Sequence, residues 1–283
     1  MIKFTIRNLK VFFKDKSAVF FSLLAVFIII GLYVLFLGDI WLSNFPDKQY
    51  VRLTMDTWIM TGLVAASTIT TTMGAFGIIV DDKRRKLTKD FAASPISNTK
   101  IIGGYIFSAF LVGLILTLVT LVLAELYIIS NGGTFLPPLV MLKVFGIIIL
   151  SCFSNSALVL FLVSFFSSPN AFSAASTVLG TLVGFLMGIY MPIGNLPSAV
   201  QWIVKLFPGS HSAVLLRRVA MEEPMRLMFE GAPQELADFK SFMGVEFIFG
   251  NTVLPSYISV LILLITGIVF YILSILNFSR KKG

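Results

Sequence analysis

Six apolar stretches constrain this 283-residue chain more than any other feature of its sequence. Each is close to the roughly 20 residues that an α-helix needs to cross a bilayer. They cover 18–38, 58–80, 101–123, 139–166, 171–191 and 255–278. Composition agrees, since 57% of the residues are hydrophobic and 13% are charged, and a soluble domain could not hide so much apolar surface. We predict an all-α, polytopic membrane protein with six transmembrane helices.

Three of these stretches invite a different interpretation. The first follows several lysines, as a signal peptide would, but it exceeds the roughly 7–15 residues of the apolar region of a signal peptide, and no small-x-small cleavage site precedes Asp39. We therefore expect it to stay as a span. The fourth and fifth are separated only by 167–170, where Pro169 favours a tight turn between two helices.

The distribution of Lys and Arg predicts the orientation of the spans. The N-terminal segment, the loop 81–100 and the C-terminus together carry 14 basic and four acidic residues, whereas the opposite side carries eight basic and nine acidic residues. Basic residues are enriched on the cytoplasmic side of membrane proteins. Six spans place all three basic segments there, so both termini are predicted to be cytoplasmic and the loops 39–57 and 192–254 external.

Two segments outside the spans have helical patterns. Residues 1–17 place Ile2, Ile6, Leu9 and Phe13 on one face with lysines beside it, which predicts an amphipathic helix on the membrane surface or, more simply, a positively charged anchor. In 192–254, the stretches 196–207 and 210–221 are too short to span and too apolar for a free loop, so we expect re-entrant or interface-lying helices. A short polar helix is predicted over 233–243.

The sequence contains no pattern of catalytic or nucleotide-binding residues. It has no Gly-Lys pair, so it lacks a phosphate-binding loop of the G-x-x-x-x-G-K-[ST] type. One cysteine, Cys152, and one histidine, His211, do not make a metal site. A membrane enzyme acting on lipids would need a cluster of acids or histidines at one face, and none is present. The basic residues lie in short runs beside apolar segments, which argues against nucleic acid as a partner.

A few ionisable residues near the spans are candidates for function. Glu125 is taken to be the only acid within reach of a span, and it is expected near the external interface, either paired with Lys143 or contacting substrate or a proton. His211 is expected to be structural, with a functional role as the alternative. Arg217 and Arg218 would lie at an interface or meet lipid headgroups or an anionic substrate.

Small residues recur along the second and fifth stretches at a spacing that allows helices to approach closely. One interpretation is packing within a single subunit. The other is a seam between two subunits or a translocation path, with the span-two hydroxyls lining the path. The residues concerned are Gly62, Ala66, Thr70, Gly74, Gly180, Gly184 and Gly188.

Three motifs, in this order, resemble the type-2 ABC-transporter permease family. The segment from Arg7 to Ala18 resembles the elbow helix that leads into its first span. Residues 89–97, with the sequence KDFAASPIS, resemble its coupling helix. The Met191-Pro192, Leu196-Pro197 and Phe207-Pro208 pairs, followed by Leu216-Arg217, resemble its external helical insertion. The chain departs from the family at Lys86, where many members have the glycine of an acidic-x-x-Gly element, so Asp81 or Asp82 would take the acidic role.

The resemblance implies a transmembrane domain over 1–283 with an elbow helix at 1–17 and a coupling loop at 81–100. Leu87 and Phe91 would be apolar anchors in a groove of a separate ATPase. The implied residues of coupling are Leu87, Asp90, Phe91, Ser94, Pro95 and Ile96, and those of the elbow are Arg7, Lys10, Phe13 and Lys14. Two ATPase subunits would hold ATP and magnesium, while this chain binds no cofactor or metal and catalyses no reaction.

The implied function is ATP-driven export of an amphipathic or lipid-like compound, such as a drug, an antimicrobial peptide or a related metabolite, across a bacterial plasma membrane. The chain would pair with a second copy or a related permease and contact membrane lipids. Apolar spans with few polar residues suit a substrate that enters from lipid. Alternatives are export of a lipid-linked polysaccharide, which the sparse tryptophans disfavour, and a non-transporting membrane partner or sensor.

Overall fold

The computed structural model describes residues 1–37, 49–166 and 168–280. The predicted end of the first span at residue 38, most of the loop 39–57, Ser167, Lys281 and Lys282 lie outside these residues. Six helices in the described ranges are long and apolar enough to cross a membrane, as the sequence predicted. They are Lys16–Leu35, Val51–Arg84, Thr99–Ser130, Pro138–Ser164, Pro169–Leu186 and Ser256–Asn277.

Within the described ranges the fold is mostly helical, with one short antiparallel hairpin that the sequence did not predict. Its helices are α1 Ile2–Lys14, α2 Lys16–Leu32, α3 Val51–Arg84, α4 Leu87–Ala93, α5 Asn98–Ser130, α6 Pro138–Ser164, α7 Pro169–Leu186, α8 Ser198–Leu206, α9 Ser210–Ala220, α10 Glu222–Met228, α11 Pro233–Phe242 and α12 Ser256–Arg280. A π-helical segment Tyr33–Leu37 extends α2, a 3₁₀ turn Ile193–Asn195 precedes α8, and strands β1 Ile248–Phe249 and β2 Thr252–Val253 precede α12.

Helix α3 forms the centre of the fold. It has 34 residues, or about 51 Å at 1.5 Å per residue, so it extends past a hydrocarbon core of about 30 Å. In its most apolar window 78% of the residues are buried, against 22% for the first span and 11% for α7. Four of the other long apolar helices, α2, α5, α6 and α7, pack against α3, whereas α12 packs against α6 and α9. The first span, α7 and α12 leave most of their surface free.

The boundaries of α3 correct one conclusion drawn from the sequence. The helix begins at Val51 and not at residue 58, and it ends at Arg84. It therefore includes Asp56 and Asp82, which are 2% and 3% exposed, so the inference that Glu125 is the only acid within reach of a span is wrong. The hydropathy pattern ends at the first charged residue, whereas the helix continues because these carboxylates have partners on other helices.

Local capping fixes the ends of several helices. Asp15 has an extended backbone after α1, and its carboxylate accepts the amide N–H of Ala18 at 3.0 Å, which starts α2 in a new direction. Ser168 caps α7 in the same way, through the amide of Ala171 at 3.2 Å. The predicted division between the fourth and fifth spans is thereby confirmed.

We define two sides of the molecule by these elements. The basic side contains α1, the C-terminal end of α3, α4 and the N-terminal end of α5. The opposite side contains the N-terminal end of α3, the C-terminal end of α5 and most of 192–254. There, Trp58 donates from its indole to the carbonyl of Met243 at 2.8 Å, and Thr54 donates to the carbonyl of Pro224 at 3.2 Å. These bonds hold the segment against α3.

The bend between α8 and α9 lies deep beside α3. A Cβ atom placed on Gly209 would be 2.8 Å from Ile69 Cδ1 and 2.9 Å from Met187 Cε, so only glycine fits without movement of these side chains. Ile69 is 18 residues after the start of α3, or about 27 Å along the helix axis. The bend therefore reaches the middle third of the longest membrane-crossing helix.

Candidate functional site

A buried carboxylate on the basic side joins three helices. Asp82, near the end of α3, accepts hydrogen bonds from both terminal nitrogens of Arg7, at 2.6 and 2.8 Å, and from the hydroxyl of Tyr105 at 2.7 Å. Arg7 belongs to α1 and Tyr105 to α5. Two-pronged guanidinium–carboxylate pairs are among the strongest polar contacts in proteins because both charge and geometry match. We call Arg7, Asp82, Tyr105, Phe4 and Phe91 the α1 joint.

Two phenylalanines connect the short helix α4 to this joint. The ring of Phe4 meets the ring of Phe91 edge-on with a centroid separation of 5.1 Å, and it meets Tyr105 at 4.9 Å. The guanidinium carbon of Arg7 lies 5.5 Å from the centroid of Phe91. Such edge contacts and cation–π contacts each contribute about 0.5–1.5 kcal/mol. Movement of α4 would therefore displace α1 and α5 together.

Further contacts fix α1 along α5. The side-chain amide of Asn8 donates to the hydroxyl of Ser108 at 3.2 Å, and Arg7 donates to the amide oxygen of Asn8 at 2.9 Å. A Cβ atom on Gly104 would lie 2.7 Å from the ring of Phe4, so glycine permits the close approach of the two helices. The hydrogen bond to Asp82 raises the pKa of Arg7 despite its partial burial, so the guanidinium is charged at physiological pH.

The residues that the resemblance assigned to coupling occupy two different faces of the α4 region. Phe91 is half-buried and points toward Phe4, not away from the chain, and Leu87 is also half-buried. Ser94 ends the helix by donating from its hydroxyl to the carbonyl of Phe91 at 2.6 Å. Asp90, Pro95 and Ile96 are exposed. Of the candidate residues, these three form the surface that is open to a partner.

Helix α1 has three distinct faces. Its buried face carries Phe4, Thr5, Asn8 and Phe12. Of its apolar stripe, Ile2, Ile6 and Phe13 are exposed. Lys3, Lys10 and Lys14 lie on the third face and are exposed. A helix packed against protein on one face, with exposed apolar and basic faces beside it, has the pattern of a helix at a membrane surface.

Most of the predicted small-residue positions are packed within the chain. A Cβ atom would lie 2.9 Å from the guanidinium of Arg217 at Gly62, and 2.4 Å from Ser22 at Gly74. A Cβ atom on Gly184 would clash with the ring of Tyr190, and Gly188 has a left-handed backbone with φ of 64°. Ala66 is buried, Thr70 is half-buried, and only Gly180 of the five glycines has no atom within 4 Å of the added carbon.

The hydroxyls of the second span are used for packing between helices. Thr68 accepts a hydrogen bond from the amide of Asn155 at 2.7 Å, and Ser67 donates to Thr117 at 3.2 Å. These four residues are at most 1% exposed. In contrast, α7 carries an exposed row of hydroxyls that the sequence interpretation missed, formed by Ser173, Thr177 and Thr181 at a spacing of four residues. Periodicity gives the row but not the direction in which it faces.

A second buried carboxylate lies at the other end of α3. Asp56 accepts a hydrogen bond from the hydroxyl of Tyr33 at 2.7 Å, and its other oxygen is 3.8 Å from Nε of Arg52. Arg52 also donates to the side-chain oxygen of Asn131 at 2.7 Å, at the end of α5. We call Tyr33, Asp56, Arg52 and Asn131 the Tyr33 joint. The sequence interpretation missed it because it placed Asp56 in a loop.

The remaining ionisable candidates have structural partners. Glu125 is 5% exposed and accepts the backbone N–H of Leu136 at 3.1 Å. Among the described residues no ion pair joins it to Lys143, and that lysine is exposed. His211 contacts the hydroxyl of Ser259 at 3.0 Å and the carbonyl of Lys205 at 3.1 Å. Burial lowers the pKa of His211 to about 4, so it is neutral at physiological pH and joins α9 to α12.

Arg217 caps the C-terminal end of α7. Its guanidinium donates to the carbonyls of Met187 at 2.8 Å and Gly188 at 3.0 Å, and it lies 4.7 Å from the ring centroid of Trp58. Cations are favoured at helix C-termini, where carbonyl groups lack helical partners. Burial lowers its pKa to about 9, so the side chain remains charged. Within the described ranges, no group of three or more His, Cys, Asp or Glu side chains could hold a metal ion.

The fold and the sites define a multi-pass membrane protein in which α3 carries a buried carboxylate near each end, Asp56 and Asp82. Residues 44–276 match the family model described as ABC-2 family transporter protein, so the chain belongs to the ABC-2 permease family. That family supplies membrane components of ABC transporters, is generally not catalytic itself, and normally works with ABC ATPase subunits. Among curated proteins, none matches this chain.

Proposed function

We propose that this chain is the membrane subunit of an ABC exporter, and that a separate ATPase drives it through α4. The observation that carries the proposal is the α1 joint. Asp82 and Phe91 connect α4 to three other helices through short contacts, so a force on α4 would move α1, α3 and α5 as one body.

The exposed and buried faces of the α4 region suggest two separate tasks. Asp90, Pro95 and Ile96 form the surface that docks on the ATPase, and Ile96 is 42% exposed despite being apolar. Phe91 transmits the movement from the inside. This assignment modifies the expectation from sequence, in which Phe91 was itself the docking anchor.

The same arrangement supports a cytoplasmic position for the basic side. An ATPase that uses cytoplasmic ATP must dock on that side, and the excess of Lys and Arg there favours the same orientation. Helix α1 then lies in the inner leaflet interface, with Lys3, Lys10 and Lys14 near anionic headgroups. The bend at Gly209, which lies beside Ile69, becomes the tip of a re-entrant pair entering from outside.

Helix α7 is the best candidate for the seam or the translocation path. It exposes Ser173, Thr177 and Thr181 in one row, and no atom lies within 4 Å of a Cβ added to Gly180. The hydroxyls of Thr177 and Thr181 donate to the carbonyls of Ser173 and Thr177 within α7, each at 3.1 Å. Their oxygens can still accept a hydrogen bond across a helix interface or from a polar substrate group. A second copy of the chain, or a related permease, would cover this face.

The substrate class that fits best is an amphipathic or lipid-like compound. The exposed faces of the first span and α7 are mainly apolar, with the single hydroxyl row as the polar element. A compound entering from lipid would meet both kinds of surface. A lipid-linked polysaccharide is the second candidate, and the hydroxyl row is the feature that favours it.

One experiment separates docking from transmission. We expect Ile96→Asp to reduce co-purification of the partner ATPase by about tenfold or more, because it places a charge in an apolar contact. The matched control is Gln234→Asp, which adds the same charge on the opposite side. Asp82→Asn should keep the ATPase bound but uncouple ATP hydrolysis from transport. Loss of ATPase binding in Asp82→Asn with normal binding in Ile96→Asp would contradict the assignment.

A second experiment tests the seam. In a Cys152→Ser background, Thr177→Cys should give a cross-linked dimer under mild oxidation, since that residue is exposed on α7. Ile268→Cys is the control, because it is also exposed and lies in α12. Equal cross-linking at both positions would indicate random collision in the membrane and remove the support for α7.

Reconstitution distinguishes the exporter from a non-transporting partner or sensor. Proteoliposomes with the chain and its ATPase should move a fluorescent amphiphile when ATP is added, and the chain alone should not. ATP-dependent binding of a regulator without any transport would favour the sensor instead.

A further inference from the structure

A cleft of about 460 Å³ opens on the opposite side, next to the start of α12. Its walls come from α9, α10 and α11 and from the segment that leads into α12. Sites for small molecules usually measure about 300–1,000 Å³. Because Ser256 at its wall is the first residue of a membrane-crossing helix, the cleft lies where lipid headgroups meet water.

A fixed guanidinium forms the cationic part of the cleft. Arg218 donates from Nε to the carbonyl of Val245 at 3.2 Å, from Nη1 to the hydroxyl of Ser256 at 2.9 Å and from Nη2 to the carbonyl of Leu254 at 2.7 Å. A guanidinium has five N–H donors, so two remain for a ligand. Lys240 adds a second cation, and its ammonium is 3.6 Å from a carboxylate oxygen of Glu246.

A carboxylate without a partner forms the anionic part. Glu222 lines the cleft and is exposed. It makes no hydrogen bond or ion pair with any residue in the described ranges. Glu222 begins α10, just past the bend at Met221 that separates it from Arg218 on α9. The cleft thus presents a fixed cation and a free anion in one lining, with Met225 and Leu236 as apolar surface in the same lining.

We propose that this cleft binds a zwitterionic phosphoethanolamine group. The phosphate contacts Arg218 and Lys240, the primary ammonium contacts Glu222, and the attached carbon chain covers Met225 and Leu236. The group can come from a membrane lipid or from a soluble phosphoethanolamine compound. The proposal is independent of the ATPase and of transport, so it stands or fails separately from the exporter function.

The test uses the full chain in detergent and three probes. They are dihexanoyl phosphatidylethanolamine, dihexanoyl phosphatidylglycerol, which lacks the amine, and water-soluble glycerophosphoethanolamine. We expect the ethanolamine lipid to bind more tightly than the glycerol lipid in titrations followed by native mass spectrometry. Glu222→Gln should weaken binding of the ethanolamine lipid by about fivefold, as expected for one exposed charge pair. It should leave the affinity for the glycerol lipid unchanged.

Two further variants make the result specific. Glu230→Gln removes an exposed carboxylate outside the cleft lining, so it should change neither affinity. Lys240→Gln should weaken binding of both lipids equally, because it removes a phosphate contact that the two lipids share. Equal binding of the two lipids by the unmodified chain, or no effect of Glu222→Gln, would overturn the proposal. Tight binding of glycerophosphoethanolamine would support the proposal and identify a soluble compound as the ligand. Binding of the ethanolamine lipid without binding of glycerophosphoethanolamine would support the proposal and identify a membrane lipid as the ligand.

Discussion

The two ends of α3 use the same three residue types in different ways. Asp82 and Asp56 are both buried, and each accepts a tyrosine hydroxyl at 2.7 Å and lies near an arginine. In the α1 joint the arginine comes from a separate helix and forms two bonds of 2.6 and 2.8 Å. In the Tyr33 joint it comes from α3 itself, four residues earlier, at 3.8 Å. A tyrosine connects α3 to another segment at both ends, but only in the α1 joint does the ion pair do so as well.

This difference indicates which movement each joint resists. Pulling α1 from the basic side must separate a charged pair, whereas moving the first span away from α3 on the opposite side breaks one neutral-donor hydrogen bond. The first contact is a two-pronged bond between two charged groups, whereas the second is a single bond that carries charge only on its acceptor. We therefore expect the basic side to move as a rigid unit and the first span to separate more easily at its other end.

The largest expected effect is that of Arg7→Gln. It leaves a buried carboxylate with Tyr105 as its main donor, so the free energy of unfolding should fall by about 2–4 kcal/mol, less than for a fully buried pair because Arg7 is 32% exposed. Denaturant titration in detergent measures this change. Adding Asp82→Asn should recover part of the loss, and strictly additive losses would mean that the pair does not interact.

The tyrosines give a matched pair of variants with an intermediate effect. Tyr33→Phe should cost about 1–3 kcal/mol, because Asp56 then keeps only a distant arginine. Tyr105→Phe should cost about 0.5–1.5 kcal/mol, because Asp82 keeps two guanidinium bonds. Thermal unfolding of both variants under one condition checks the order. The opposite order would show that the two ends of α3 do not differ as their geometry suggests.

Arg52→Gln should have the smallest effect. Its side chain is 44% exposed and its contact with Asp56 is long, so the loss should be about 0–1 kcal/mol and should shrink as salt is added. The same titration with Arg7→Gln provides the comparison. A loss for Arg52→Gln as large as that for Arg7→Gln would remove the distinction between the joints.

Features set by pattern along the chain could be predicted well. The six spans, the helices near 196–207, 210–221 and 233–243, and the division before Pro169 follow from hydropathy, proline and periodicity. The candidate sites were harder. Phe91 was correctly placed on a short helix between the second and third spans, but its inward direction depends on Phe4, more than 80 residues away in the chain.

Polar residues inside the fold explain most of the remaining differences. Asp56 and Asp82 read as loop residues in a hydropathy pattern, because an isolated carboxylate in a helix of this kind is costly. Tyr33, Arg7 and Tyr105 remove that cost, and the local sequence of α3 does not predict these contacts. The same holds for Gly62, whose lack of a side chain makes room for the guanidinium of Arg217.

By itself the sequence determined that this chain is a multi-pass membrane protein with six helices long and apolar enough to cross a membrane, where those helices lie and which end of α3 collects positive charge. These properties follow from residue types over short windows, since the transfer of apolar side chains into lipid depends on local composition. The tertiary structure decided which carboxylates are buried, which face of α7 is open and which way Phe91 points. Those outcomes depend on side chains that meet only when distant helices pack, so no local window of sequence contains them.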